Sequence, residues 1–416
     1  MKPALTASHS LQEWLDCILA LHPSEIDLGL DRLRQVAARM GLTALPHSHV
    51  ITVAGTNGKG TTCALMEQAL LNAGYRVGVF SSPHLERYNE RVRIDGVELA
   101  DQHHVDAFAA IAAAQDKVSL TFFEYSALAA LWCFAQARPD VVLLEVGLGG
   151  RLDATNLIDA DQAVITTIDL DHIEYLGNTR EAVAREKVGV LRPGRPAVCG
   201  DPNPPVTIGV TAELLGVALS QRGRDFILQR HPAHWDYQAD GMTLQRLPLP
   251  AIPLDNAATA LTALGQIPLQ VPEAAIRQAL AQLVVPGRLE PLGDAPKLVV
   301  DVAHNPQAAA YLAQWLAARP EPRLHAVCAM LKDKDIEATL GQFSSLSLQW
   351  YLADLAVPRG ARASELAPHL SKPGVYGSVD KALEAALSQA DSADLVIVFG
   401  SFYTVAEAKA FWQRRS

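Results

Sequence analysis

The sequence predicts an α/β protein in which a P-loop-type N-terminal domain with a largely parallel sheet is followed by a smaller α/β domain. Three observations predict this. Short β-branched runs followed by Ala/Leu-rich, apolar-periodic segments recur from about residue 50 to the end, the pattern of βα units that feed a parallel sheet. A glycine-rich turn, Gly55 to Gly60, lies between one such run and its helix. At Val285-Pro286-Gly287-Arg288 a Pro and a Gly interrupt the alternation, which then restarts. Domains of residues 1–287 and 288–416 are therefore expected.

The clearest strands of the first domain are His49 to Val53, Val77 to Phe80, Val141 to Val146, Ala163 to Ile168 and Pro196 to Cys199. An apolar-periodic helix is expected from Cys63 to Ala73. A polar, Pro-spotted stretch from Gly200 to Pro253, with Trp235, Tyr237 and an Asp240-Gly241 turn, reads as smaller β-rich structure. Asn256 to Leu264 and Glu273 to Leu283 read as helices. In the second domain strands are expected at Leu298 to Val300, Leu324 to Met330, Gln349 to Ala353 and Leu395 to Phe399. There is no fixed-period repeat.

The 416 residues exceed the size at which single cores stop growing, and a hydrophobic share of 49% with 19% charged residues supports packed cores rather than disorder. A net charge of −10 argues against broad binding to nucleic acid or anionic membranes, so an anionic ligand must meet local positive charge. Cys17, Cys63, Cys133, Cys199 and Cys328 are odd in number and scattered, which suggests neither a disulfide framework nor a zinc site. With no signal-like start and no apolar run of ~18 residues, a cytoplasmic protein is expected.

The strongest local signal is the run Ile51-Thr52-Val53-Ala54-Gly55-Thr56-Asn57-Gly58-Lys59-Gly60-Thr61-Thr62, a strand, a glycine-rich turn and a helix start. That order makes a phosphate cradle. Glycines let backbone N–H groups approach phosphate oxygens, the helix N-terminus adds positive dipole and Lys59 adds a full charge. Thr61 or Thr62 is a candidate to reach a magnesium ion. The spacing departs from the common G-x-x-x-x-G-K-S/T, because two residues separate Gly55 from Gly58 and Gly60 precedes Thr61.

This loop resembles the signature of the folylpolyglutamate synthase family, and the wider Mur peptide ligase superfamily shares its Gly-Lys core. Further blocks support the narrower resemblance, in family order: Ser81-Ser82-Pro83-His84-Leu85 with Glu90-Arg91, then Glu145 to Asn156 (EVGLGGRLDATN), Asp171-His172, Glu186-Lys187 and Asp301 to Pro306 (DVAHNP). The likeness runs from Ile26 to Ser401 and points to the bacterial bifunctional branch, which makes dihydrofolate and also lengthens folates. It implies a Mur-ligase-like fold. It also implies an ATP-dependent ligase that activates a carboxylate as an acyl phosphate and joins it to L-glutamate.

Glu145 follows an apolar strand and leads into a Gly-rich loop, so its carboxylate belongs near the carboxyl edge of the sheet and needs a partner among Leu143, Leu144, Val146 and Leu148. The resemblance implies Ser82, Glu145 and His172 as ligands of Mg2+, two ions per site. From the residues alone Lys187 reads as a surface helix lysine; the resemblance implies a CO2-derived carbamate on it that bridges the metals. ATP contacts are implied at Asn57, Gly58, Lys59, Gly60, Thr61, Asn256, Arg288 and Asp301, with closure of the second domain completing the site. Arg288 reads equally as a solvated linker charge, and Asp301 as a helix cap. His304 and Ser401, just after strand ends, are assigned to incoming glutamate or phosphate, while Asn305-Pro306 reads as a helix start.

Dihydropteroate contacts are implied at Asp27, Leu28, Gly29 and Leu30, at Thr121, Phe122, Phe123 and Glu124, and at Leu152, Asp153 and Ala154. An aromatic ring can stack a flat pterin while a carboxylate reads its N–H edge, although in isolation Phe122 and Phe123 read as core. Reduced folates, L-glutamate and ATP complete the expected small-molecule partners, and a monomer is expected. The rival readings are a folylpolyglutamate synthase alone, a Mur-type cell-wall ligase, and a nucleotide-binding scaffold. The Ile26 to Leu30 segment and the lack of an evident UDP-binding domain oppose the second. The presence of Glu145, His172 and Lys187 opposes the third.

Overall fold

The computed structural model describes residues 6–22 and 27–415, and the chain divides into two compact units, one ending at Leu283 and the other beginning at Val284. Among the described residues, the first unit is built on an eight-stranded sheet: β1 His49–Ala54, β2 Val77–Phe80, β3 Val92–Ile94, β4 Val97–Glu98, β5 Val141–Glu145, β6 Gln162–Ile165, β7 Ala197–Cys199 and β8 Leu219–Gln221. Their spatial order is β4-β3-β2-β5-β1-β6-β7-β8. The run from β2 to β8 is parallel, and β3 and β4 add an antiparallel edge.

β1 lies at the centre, with β5 on one side and β6 on the other. The chain leaves β1 for β2, beyond β5, yet leaves β5 for β6, beyond β1. The loops after β1 and β5 therefore diverge at the carboxyl ends of neighbouring strands, the place where α/β sheets gather ligands. In register, Val53 stands beside Glu145, which puts the end of β5 against the glycine-rich turn. β1, β2 and β5 are buried almost throughout, as a strand covered on both faces must be.

The helix after β1 runs from Lys59 to Asn72, four residues earlier than its apolar periodicity marks. Its first turn is polar because it faces the loop instead of the core. It packs against the helices Leu254–Leu264 and Glu273–Gln282 and is buried on nearly every side. The segment from Gly200 to Pro253 is not all β: Val206–Leu214 is a helix, and only then come β9 Phe226–Arg230, β10 Trp235–Ala239 and β11 Met242–Leu247, an antiparallel three-stranded sheet. The Pro at 205 that looked like a loop signal is the residue that opens this helix.

The second unit holds a six-stranded sheet of β12 Glu290–Asp294, β13 Lys297–Asp301, β14 Leu324–Cys328, β15 Leu348–Ala353, β16 Gly374–Tyr376 and β17 Leu395–Phe399, in the order β12-β13-β17-β14-β15-β16. All neighbours pair parallel except the β12–β13 hairpin. The sequence reading recognised β13, β14, β15 and β17 but not the edges β12 and β16, whose exposed, glycine-containing stretches carry little apolar signal. Among the described residues no helix is long and apolar enough to cross a membrane.

Candidate active site

The glycine-rich turn is held by Thr166 and Thr167, the residues that follow β6. Gly55 has φ +154°, and a Cβ there would stand 1.8 Å from Thr166 Oγ1. Thr166 Oγ1 in turn donates to Asn57 O at 2.6 Å, while Thr56 N donates to Thr167 O at 2.7 Å. Gly58, at φ +87°, opens the helix, and a side chain there would collide with Asn256 at 2.5 Å. Asn256 Nδ2 donates to Thr61 Oγ1 at 2.9 Å. Asn57, Gly58, Lys59, Gly60, Thr61 and Asn256 are thus brought together. Lys59 Nζ folds back onto Gly55 O at 3.0 Å and Thr56 O at 3.2 Å.

Glu145 is buried beside this helix start, with Oε1 3.5 Å from where a Cβ on Gly60 would lie. Its Oε2 accepts from Ser82 N at 3.2 Å, so the structure joins Ser82 to Glu145. Ser81, next to it, accepts from Arg93 at 3.1 Å, and Arg93 pairs with Glu67 at 2.8 Å. The sequence reading missed this support, because Arg93 and Glu67 stand 26 residues apart on separate elements. His172 sits in the loop after β6 in a left-handed conformation, φ 51°, beside Asp171.

Lys187 is not a surface lysine. It is 3% exposed and donates from Nζ to Gly55 O at 2.8 Å, on the same carbonyl that Lys59 reaches. Burial, with the Lys59 charge beside it, pulls its amine down to about 7 against the opposite pull of Asp171 and Asp153. The loop residues Gly150 and Arg151 pack on this helix end, since a Cβ on Gly150 would meet Glu186 O at 2.9 Å and Arg151 N donates to Glu186 O at 2.8 Å. Ser82 and Glu145 bring a hydroxyl and a carboxylate to strand ends beside a phosphate-type loop, and His172 adds an imidazole on the segment that follows β6. The oxygen donors of Ser82 and Glu145 fit a hard divalent ion with retained waters.

The second cluster lies over the Gly147–Leu148 turn. Asp153 is buried and accepts from Gly147 N, Leu148 N, Thr155 N and Thr155 Oγ1 at 2.7–3.1 Å, although burial still raises its carboxyl above the ordinary range. Phe123 covers Gly147, where a Cβ would stand 2.5 Å from its ring, and Phe122 stacks under the Arg91 guanidinium at 5.2 Å. Thr121 and Glu124 form a capping box for the helix Phe122–Ala137. Arg32 ties this helix to the earlier segment by pairing with Asp27 and, at 3.2 Å, with Glu124. Asp27, Leu28, Gly29 and Leu30 are described, while Ile26 lies outside the described residues. Leu152 and Ala154 flank Asp153. Arg32 carried no signal in the sequence reading, because its two partners are 5 and 92 residues away.

In the second unit, buried Asp301 accepts from Leu289 N at 2.9 Å and Ala303 N at 2.8 Å; burial raises its carboxyl and the Arg288 charge opposes this. Asp301 caps no helix; Asn305 does, with Pro306 at the first turn of Pro306–Ala317. Arg288 lies over the Phe402 ring at 5.4 Å, and the His304 ring is 6.3 Å from the same ring. Arg288 and His304 are thereby gathered about Phe402, and both charges act on Asp301. Ser401 is buried, and its hydroxyl accepts from Thr404 N at 3.0 Å and bonds Thr404 Oγ1 at 2.7 Å.

Two family models match the chain: the Mur ligase middle domain over residues 53–194 and the Mur ligase, glutamate ligase domain over 287–402. The chain is 49% identical over 401 residues to the dihydrofolate synthase/folylpolyglutamate synthase of Escherichia coli K12, covering 96% of this chain and 95% of that protein. The chain belongs to the dihydrofolate synthase/folylpolyglutamate synthase family. It is an ATP-dependent ligase with Mur-ligase architecture. A solved structure of E. coli FolC in complex with DHPP and ADP matches with a TM-score of 0.96 at 47% identity, over 99% of this chain and 100% of that one. Another of a bifunctional folylpolyglutamate synthase/dihydrofolate synthase, with Mn, AMPPNP and L-glutamate bound, matches with a TM-score of 0.92 at 48% identity, over 98% of each chain.

Proposed function

We infer that this member of the family joins L-glutamate to 7,8-dihydropteroate, giving dihydrofolate, and to reduced folates, lengthening their glutamate tails. The observation that carries this reading is the convergence, in one unit, of a lysine-bearing phosphate loop, a buried carboxylate beside it and an aromatic–carboxylate cluster suited to a pterin. In the first step the substrate carboxylate attacks the γ-phosphorus of ATP, the bond to the β-phosphate oxygen breaks, and ADP leaves an acyl phosphate behind. The amine of glutamate, neutral when it reacts, then attacks the acyl carbon, loses a proton and expels phosphate as the amide forms.

Lys59 leaves its loop carbonyls to meet the transferring phosphate, and the N–H groups of Gly58 to Thr61 orient it. Ser82, Glu145 and His172 are the residues that would hold Mg2+, and bound divalent ions neutralise charge on the phosphate oxygens. Two ions fit this assignment if Lys187 carries a carbamate, because that modification turns an amine into an extended carboxylate. A buried amine with a pKa near 7 has the neutral fraction that CO2 needs. Asn256, Arg288 and Asp301 are assigned to the nucleotide, His304 and Ser401 to glutamate or phosphate, and residues 27–30, 121–124 and 152–154 to dihydropteroate. Functional boundaries at 287/288, a monomeric state and a cytoplasmic setting go with this assignment; the net charge of −10 supports the exclusion of nucleic acid and membrane partners.

The test is direct. Purified protein with MgATP and glutamate is expected to release ADP when given either dihydropteroate or tetrahydrofolate; release with tetrahydrofolate only would reduce the function to folylpolyglutamate synthase.

A further inference from the structure

The three-stranded sheet of the first unit carries a group of side chains that the ligase reaction does not use. β9 ends at Arg230 and β10 begins at Trp235, and the hairpin closes through His231 N donating to His234 O at 2.8 Å. Side chains alternate along β10: Trp235 and Tyr237 are buried inward, which turns His234 and Asp236 to the outer face. His231 stands across the turn on that same face, its ring stacked on that of His234 with centroids 4.5 Å apart. All three side chains are half-buried.

We propose that His231, His234 and Asp236 form a binding site for a borderline divalent transition metal such as Zn2+, with the remaining position open to water. The ligand atoms of the three residues lie within 4.8 Å of one another. His231 Nε2 is 3.2 Å from Asp236 Oδ2. A tetrahedral ion with bonds of about 2.0–2.1 Å separates its donors by ~3.3 Å, so this pair already has the required spacing. Asp236 is preset for the role: its other oxygen accepts from Arg246 N at 2.7 Å, a supporting contact of the kind that orients metal carboxylates. Two imidazoles and one carboxylate select Zn2+-like ions over Mg2+, which prefers an all-oxygen shell. The site therefore differs in chemistry from the oxygen-rich set beside the phosphate loop.

An ion there would clamp the β9–β10 turn. The experiment titrates Zn2+ into the full chain against a chromophoric chelator, with excess Mg2+ present to occupy oxygen-rich sites, and compares His234→Ala and Asp236→Asn. His234 lies at an open turn, and Asn retains an acceptor for Arg246 N, so both variants are expected to fold. The unaltered chain should bind one more zinc ion than His234→Ala, or bind it at least ~10-fold more tightly, with Asp236→Asn also weakened. Zinc should raise the unfolding temperature of the unaltered chain more than that of His234→Ala. No zinc binding by the unaltered chain, or equal stoichiometry and affinity in all three proteins, would overturn the proposal.

Discussion

Lys59 and Lys187 donate to one carbonyl, that of Gly55, and this shared contact sets what each can do. Lys59 Nζ donates to the Gly55 and Thr56 carbonyls of its own loop, bonds worth about 1 kcal/mol each, and Lys59→Ala is expected to remain folded. Its turnover should fall by ~10²–10³, the range for removing one donor that faces transition-state charge. ADP release alongside thermal unfolding measures both. Lys187 behaves differently because it is buried. Its folded pKa, about 7, lies below the ordinary lysine value, so the folded protein disfavours the charged amine fully below pH 7 and progressively less as pH rises to ~10.4. Because CO2 adds only to the neutral amine, carbamate is expected to grow as pH rises through about 7, seen by ¹³C NMR with labelled bicarbonate and absent in Lys187→Ala. A signal that is flat across that range would dissociate the lysine from the modification. Nothing in Glu186-Lys187 marks burial by pattern, since the neighbouring Arg185 and Glu186 are polar; only the family likeness singled Lys187 out, and only tertiary packing explains it.

At the scale of elements, the glycine-rich turn was legible because its requirements are local. Strand, turn and helix follow one another in sequence, and Gly55 and Gly58 occupy backbone conformations that other residues resist. Gly58→Ala is expected to destabilise the protein by about 1–3 kcal/mol, combining a left-handed residue with displacement of Asn256. Urea unfolding would show this, and calorimetric titration should show weaker ADP binding, since the loop must shift. An unchanged midpoint and ADP affinity would mean that the turn relaxes freely. Elements whose identity depends on distant partners were less legible. The edge strands β12 and β16 pair on one side only and have little apolar surface to advertise. The helix Val206–Leu214 hid in a Pro-spotted stretch, with exposed Val206, Val210 and Leu214 blurring its periodicity.

For the whole molecule, one phosphate site serving two acceptor substrates makes a strong demand. The phosphoryl step is common, so Lys59→Ala should lower dihydropteroate and tetrahydrofolate turnover alike. Pterin recognition need not be common. Asp27 is exposed and pairs with Arg32, and Arg32 also holds buried Glu124; removing the Asp27 carboxylate leaves Arg32 its second partner and should leave the fold intact. The sequence displayed the segment around Asp27 but could not display this bridge, because it joins helices through a guanidinium 92 residues from one of its partners. If Asp27 reads the N–H edge of dihydropteroate, losing that contact costs roughly 1–3 kcal/mol, a factor of about five to over a hundred, for that substrate alone. Asp27→Ala is then expected to lower kcat/KM for dihydropteroate by that factor while kcat/KM for tetrahydrofolate changes little, shifting the enzyme towards elongation. The ratio of the two values in one preparation is the informative measurement, because it cancels errors in active concentration. Equal losses for both substrates would mean that a single pterin pocket serves both, or that Asp27 acts only through Arg32; in either case its assignment as a selective reader of dihydropteroate fails.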